Sequence, residues 1–483
     1  MTFMKTIDPS RRRFLRNIVT ISAASAFPAV IIKAASGAEH SAVRSVSPND
    51  KVNLACIGIG GQGAGDIRQF ANTGLCNIVA LCDTDMGAPA TSGTLKSFPG
   101  VPRYQDFRAM FDRMGNEIDA VLVAIPDFSH FPVTMLAMSL GKHVFVEKPM
   151  GRTFNEVQMM MNAARKYRVV TQMGNQGHSE ANYYQFKTWV EAGIIKDVTS
   201  FAGHMNSSRR WHGWDTGISK YPDGEPVPQT LDWDTWLGTA DEHDYNHDYV
   251  NGQWRCWYDF GMGALGDWGA HIMDSVHEFL DLGLPYEIDP VKVTGWNPFF
   301  FPQSETLVYK FPARGEMPPL ELTWYDGLDN LPPLPKGYGA GVEVDPNIPP
   351  PGNAPAQQEK LGPGKIMYSK DLTFKGGTHG ATLSIIPSEK AREMESRLPE
   401  VPVSTSNHYR NFLLACQGLE ETRSPFDVAG PLCQVFNLGV IAAQLNTRLL
   451  FDRQKKVITN HPLANQMLTG KAPRKGWEQY YNL

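Results

Sequence analysis

The stretch from Lys51 to Asp83 constrains this chain more than any other. Val52-Asn53-Leu54-Ala55-Cys56-Ile57 has the length and apolarity of a buried parallel strand. Gly58, Gly60 and Gly63 follow in the spacing G-x-G-x-x-G, and Ala64 to Thr73 continues as a helix. A second strand, Ile78 to Cys82, ends on Asp83, twenty residues beyond Gly63. Gly58 permits the tight turn, Gly60 lets backbone approach a pyrophosphate, and Gly63 lets helix pack on strand. The helix N-terminus then offers unpaired N–H groups and the positive end of its dipole to phosphates. Asp83 is placed to accept hydrogen bonds from ribose hydroxyls and to repel a 2′-phosphate. Neither Thr84 nor Asp85 supplies an arginine, so the pattern predicts NAD in preference to NADP.

Residues 1–38 read as an export segment and not as part of the fold. Ser10-Arg11-Arg12-Arg13-Phe14-Leu15-Arg16 is a twin-arginine signature, followed by a moderately apolar run, Ile18 to Ile32, and small residues at Ser36-Gly37-Ala38. The run is too short and too weakly apolar to span a membrane, and no cysteine follows it to carry a lipid, so no membrane anchor is expected. Residues 39–50 read as a linker. The twin-arginine route carries folded proteins, which predicts a periplasmic protein that leaves with its cofactor already in place and holds it tightly. The chain has a net charge of −5, of which the first 38 residues contribute +5, leaving −10 on the remainder. That balance argues against nucleic acid and anionic membrane surfaces as partners. The six cysteines form no C-x-x-C pair, and three lie in or beside the apolar strands. No disulfide framework and no metal site is expected.

Strands and helices keep alternating after Asp83, which assigns residues 51–170 to a doubly wound, dinucleotide-binding α/β domain. Ala120 to Ile125 is a buried strand that ends at Pro126-Asp127-Phe128-Ser129-His130, and ligands bind such sheets at strand ends. Pro126, Asp127 and His130 are therefore candidate cofactor contacts. His143 to Val146 delivers Glu147-Lys148-Pro149 to the same edge, where a lysine can reach a reacting oxygen. Val169 to Gly174 is a further strand, with Asn175-Gln176-Gly177-His178 at its end; Gln176 is read as a cofactor contact and His178 as a substrate contact. Residues 171–455 form a second, substrate-binding domain, and 456–483 a tail packed on the body. Residues 205–260 carry six of the eleven tryptophans, Trp211, Trp214, Trp233, Trp236, Trp254 and Trp257. Such rings stack on sugars or simply pack long loops; Trp254 with Arg255 is the candidate substrate pair. His243, Asp244, His247 and Asp248 read as a solvated loop. The Pro/Gly-rich stretch 329–364 reads as a surface insertion, either a lid or an arm to a partner subunit.

A second motif, Gly266-Asp267-Trp268-Gly269-Ala270-His271, leads towards Asp274 and a helix. If helical from Asp267, then Asp267, His271 and Asp274 share one face. A carboxylate beside an imidazole orients it and raises its basicity, which suits His271 to take a hydroxyl proton.

Together Gly58-Ile59-Gly60-Gly61-Gln62-Gly63, Asp83, Glu147-Lys148-Pro149 and Gly266 to His271 resemble the glucose–fructose oxidoreductase/inositol dehydrogenase/MocA family over nearly all of the chain beyond residue 38. The resemblance implies a Rossmann domain plus an α/β domain with a large, mainly antiparallel sheet that joins homodimers or homotetramers. It places Gln62, Glu147 and Lys148 at the cofactor, and Lys148 and His271 beside the substrate carbon with Asp267 assisting. The expected reaction is hydride transfer between NAD and a secondary hydroxyl of a sugar, polyol or glycoside. One alternative is an NAD-dependent glycosidase working by oxidation, elimination, hydration and reduction; that group tends to lack the lysine kept here as Lys148. Another is a non-catalytic carbohydrate-binding protein on the same scaffold.

Overall fold

The structure, a computed structural model, describes residues 47, 50–205, 216–328, 330–338 and 362–483. The export-like segment, most of the linker, Trp211, Trp214 and most of the 329–364 stretch lie outside the described residues.

The apolar runs of the first half become six parallel strands. In chain order these are β1 (Val52–Ile57), β2 (Cys76–Cys82), β3 (Arg103–Tyr104), β4 (Ala120–Val123), β5 (His143–Val146) and β6 (Thr171–Met173). They pair in the order β3-β2-β1-β4-β5-β6, the doubly wound order whose direction reverses between β1 and β4 and opens a ligand crevice there. Helix α1 (Gly61–Asn72) follows β1 directly. Helices α2 (Phe107–Met114), α3 (His130–Ser139) and α4 (Phe154–Tyr167) fill later crossovers. Helix α4 starts on a reciprocal capping box, in which Thr153 accepts from the Glu156 N–H and Glu156 from the Thr153 N–H. The sequence boundary at 170 falls short, because β6 still pairs with β5 through Val144–Thr171, Phe145–Gln172 and Val146–Met173.

The second domain is a nine-stranded sheet, built in chain order from β7 (Val198–Met205), β8 (Glu287–Thr294), β9 (Ser304–Phe311), β10 (Leu320–Asp326), β11 (Gly364–Ser369), β12 (Thr373–Gly376), β13 (Leu383–Ile386), β14 (Leu449–Asp452) and β15 (Val457–Ile458). Its pairs are antiparallel except β7 with β10. Period-two alternation buries Leu320, Leu322 and Trp324 on one face and leaves Glu321, Thr323 and Tyr325 partly exposed on the other. Helix α5 (Ala181–Glu191) precedes β7, and α6 (Gly263–Ile272) and α7 (Asp274–Phe279) precede β8.

Two later helices return to the first domain, so 171–455 is not a self-contained block. Helix α8 (His408–Cys416) lays Tyr409, Phe412, Leu413 and Cys416 against Val52, Leu54, Phe70 and Phe145 of the parallel sheet and α1. Helix α9 (Phe426–Leu445) is long and apolar enough to cross a membrane, but most of that apolar stretch is buried inside the fold, where it packs beside α4. The C-terminal tail buries Trp477 and Tyr480 on the body.

Candidate active site

Gly58 sits at φ 83°, and a Cβ there would collide with the Ala124 carbonyl. A Cβ on Gly63 would collide with the Gly58 carbonyl. The two glycines therefore bring α1 hard against the ends of β1 and β4. Gly60 is the N-cap of α1 and supplies no side-chain cap, which leaves the first-turn N–H groups for a ligand. A cavity of about 520 Å³ lies over this turn, lined among others by Gly58, Gly60, Gln62, Asp83 and Pro126. Asp83 accepts from the Ile59 N–H at 2.9 Å and from the Asp85 N–H at 3.1 Å. This glycine cradle, uncapped helix end and strand-end acid fit a dinucleotide. Across the cleft, Leu231, Trp236, Tyr245 and Trp254 of the second domain and Trp477 of the tail close the wall. Arg474 and Lys471 fasten the tail to that wall through Asp234, Glu242 and Asp241.

A second, polar cavity of about 200 Å³ adjoins it, sharing Gln62, Ala124, Ile125 and Arg255 with the first. Asp127, Glu147, Lys148, Gln176, Asp267, Trp268, His271 and His379 complete its lining. Lys148 Nζ donates to Asp267 Oδ1 at 2.7 Å and to the Asp267 carbonyl at 3.0 Å, and Arg255 Nε lies 3.8 Å from the same carboxylate oxygen. Gln176 Nε2 donates to Glu147 Oε1 at 2.9 Å. Burial, and then the Asp66 carboxylate, push Glu147 well above the usual carboxylate range. Asp66 itself rises to about 6 by burial, although Tyr409 and Gln62 each donate to it at 2.8 Å.

His271 is buried, and its Nδ1 has no hydrogen-bond partner among the described residues. Burial, then Lys148 and His379, lower its pKa well below the ordinary histidine value. It is therefore a neutral imidazole at neutral pH, able to accept a proton. The His379 ring lies flat on it, with centroids 3.9 Å apart and planes 18° apart. Two cationic rings at that spacing would repel by about 4 kcal/mol at an effective dielectric near 20.

Several sequence assignments change here. Asp267 serves Lys148 and Arg255 instead of orienting His271. The helix also stops at Ile272, so Asp274 opens α7 and turns to His178, with its Oδ2 3.2 Å from His178 Nδ1. His178 lines neither cavity. It is held between Asp274 and Glu278, whose hydrogen bonds outweigh the effect of burial and raise it to about 9. His130 lines neither cavity either; its ring nitrogens each lie 2.8 Å from a carbonyl, of Ile125 and of Pro149, and tie two strand-end loops together. Trp254 faces the dinucleotide cleft and stacks under the Arg255 guanidinium at 4.0 Å. Trp233, Trp236, Trp254 and Trp257 pack with Tyr245, Tyr249 and Phe260 as a small aromatic core, not as an open sugar platform. His243 pairs with Asp259 and His247 with Glu225. Gly63 packs behind the cradle without lining it. Sequence reasoning missed His379, for which the only local signal is the glycine-rich run Gly376-Gly377-Thr378-His379-Gly380. It also passed over Trp268, inside a motif it had quoted.

Residues 52–175 match the family described as "Oxidoreductase family, NAD-binding Rossmann fold", and residues 184–294 match its C-terminal α/β domain. These are the two domains of the Gfo/Idh/MocA oxidoreductases. A glycosyl hydrolase family 109 protein of Shewanella pealeana is 27% identical over 275 residues, covering 50% of this chain and 56% of that one. An inositol 2-dehydrogenase of Salmonella paratyphi B is 27% identical over 155 residues, covering 32% and 45%. The chain thus spans about half or less of the length of the curated relatives it matches. Among solved structures, the WlbA dehydrogenase of Bordetella pertussis, in complex with NADH and UDP-GlcNAcA, superposes with a TM-score of 0.54 at 14% identity, covering 83% of this chain and 99% of that one. An aldose-aldose oxidoreductase of Caulobacter crescentus superposes with a TM-score of 0.52 at 15% identity, covering 83% and 100%. At these identities the likeness is one of fold.

Proposed function

We propose that the protein is an NAD-dependent oxidoreductase acting on a secondary hydroxyl of a sugar, polyol or glycoside. The observation that carries this reading is the polar cavity itself. It joins the dinucleotide cleft and brings a lysine ammonium, a carboxylate and a neutral buried imidazole together. When bound, the dinucleotide supplies the hydride acceptor. His271 takes the hydroxyl proton, and Lys148 donates a hydrogen bond to the oxygen as charge develops on it. Asp267 fixes the ammonium, and Arg255 adds a second cation at the rim. The curated relatives named inositol 2-dehydrogenase and the sugar-nucleotide dehydrogenase fold neighbour support a polyhydroxylated substrate.

The match to glycosyl hydrolase family 109 proteins favours a second reading, in which oxidation is a transient step towards glycoside cleavage. A screen of sugars and glycosides that follows nicotinamide absorbance and released sugar together separates the two. Net NADH without cleavage supports the dehydrogenase; cleavage without net NADH supports the glycosidase; neither, over a broad panel, removes both.

Export to the periplasm with the cofactor retained is also part of the proposal, resting on the twin-arginine pattern and on the closed cleft wall anchored by Trp477. Assembly as a homodimer or homotetramer through the partly exposed face of the nine-stranded sheet completes it. Denaturing unsupplemented protein and assaying the supernatant for dinucleotide tests retention; an empty site refutes it.

A further inference from the structure

We propose that His379 is the second acid–base group of the polar cavity, and that it and His271 act as one unit holding a single proton between two stacked rings. The proposal rests on the hydride-transfer reading above. His379 stands in the hairpin between β12 and β13, more than a hundred residues from His271 in sequence, yet both line the same cavity. Its backbone is left-handed, at φ 52°, a conformation uncommon for a residue other than glycine. Contacts hold that backbone in place: the His379 N–H donates to the His271 carbonyl at 3.0 Å, and Gly177 passes so close that a Cβ there would meet His379 C at 2.6 Å. A strained residue clamped so that its ring faces a catalytic base is a feature concentrated at functional sites.

The two rings are not equivalent. His271 is 6% exposed and its Nδ1 is unpartnered among the described residues, whereas His379 is only half-buried and its Nδ1 lies 2.8 Å from Thr378 Oγ1. The other charged groups facing the pair are Lys148 after β5, Asp267 on α6, Asp274 on α7 and Lys365 on β11, with Arg255 at the rim. Lys148 disfavours a proton on either ring and Lys365 one on His379, while Asp267 and Asp274 favour one on both.

In the oxidation, the C–H bond of the alcohol carbon breaks and its electron pair leaves as hydride to the dinucleotide. The O–H bond breaks, its proton goes to His271, and its electron pair becomes the second carbon–oxygen bond. His271 then carries a charge in a buried place. His379, whose nearness disfavours a second charge, stays neutral while His271 holds that proton, so the pair carries one proton at a time. With their faces stacked the rings share no hydrogen bond, so the proton passes from His271 through solvent in the cavity to the half-buried His379 and outward, and in the reductive direction the path reverses.

Two variants test this. His379→Phe keeps a flat ring that cannot titrate, and His379→Asn suits the left-handed backbone. The first measurement needs no substrate: histidine-labelled protein, without added dinucleotide, is titrated by NMR from about pH 9 to about pH 4. In the unmodified protein His271 should gain its proton in two coupled steps; in both variants it should do so in one step with its midpoint at higher pH. The acidic limb of kcat/KM should move upward by the same amount, with kcat reduced roughly 10-fold or more. Identical His271 titrations in the three proteins would overturn the proposal. Coupled titration in a protein that oxidises no sugar would uphold the pair and remove the dehydrogenase reading instead.

Discussion

Lys148 Nζ touches Asp267 twice, at the carboxylate (2.7 Å) and at the backbone carbonyl (3.0 Å), so the loop after β5 and the middle of α6 are joined through one ammonium. The pair is nearly enclosed, with side chains 13% and 8% exposed. A charge pair that acts as a unit gives non-additive losses when dismantled. Lys148→Ala and Asp267→Ala should each lower turnover by roughly 10²-fold. The double variant should cost little more than the worse single. Fully multiplicative losses in kcat would show that the two act separately.

The glycines of the cradle should separate by function. Gly63→Ala sets a Cβ against the Gly58 carbonyl, a backbone atom that cannot yield, and should destabilise the protein by about 1–3 kcal/mol. Gly60→Ala meets Ala90, at its Cβ (3.0 Å) and its backbone carbonyl carbon and oxygen (3.3 and 3.5 Å), a milder crowding than at Gly63, so the fold should survive while dinucleotide affinity falls. Thermal melts and calorimetric titration with NAD check both.

Asp83 carries two jobs that one substitution can split. Asp83→Asn keeps an acceptor oxygen for one of the Ile59 and Asp85 N–H groups, which meet different carboxylate oxygens, and removes the charge facing a 2′-phosphate. The ratio of NADP to NAD dissociation constants should fall roughly 10-fold or more, a shift worth about 1.4 kcal/mol. An unchanged ratio would mean that the charge does not select the cofactor.

His178 should leave a mark on stability against pH. Its pKa in the fold is raised to about 9. Its contribution is therefore fully present below the unfolded value near 6.5 and lost as pH rises through 9. The shift corresponds to something on the order of 3 kcal/mol. His178→Gln should melt lower than the unmodified protein at pH near 6, and the gap should close towards alkaline pH. A gap of constant size would assign the loss to packing alone.

Much of this was legible because it is local. The glycine spacing, Asp83 and the strand-end Glu147-Lys148-Pro149 each sit in one short segment with a backbone requirement, and they predict the cleft. The roles of Asp267, His178 and His379 depend on contacts across the fold. Asp267 and His271 are four apart on a helix, which suggested a pair, but a lysine 119 positions away outcompetes the imidazole for the carboxylate. His178 follows a strand end as a ligand residue does, yet two acids from another element draw it inward. The tryptophans announced aromatic surface, and sequence could not say that they face one another.

Helix α8 has a bearing on how the chain is made. The face of the parallel sheet carrying Val52, Leu54, Leu122 and Phe145 is covered by Tyr409, Phe412 and Leu413. A nascent chain that has already synthesised all six parallel strands has only Ile67 and Phe70 of α1 and their neighbours on that face until some 240 further residues have emerged. The dinucleotide domain should therefore complete its core late, together with the sheet that follows it. Truncation before residue 408 should yield an aggregating product, not a smaller NAD-binding protein, and a half-made molecule cannot pass as a folded one.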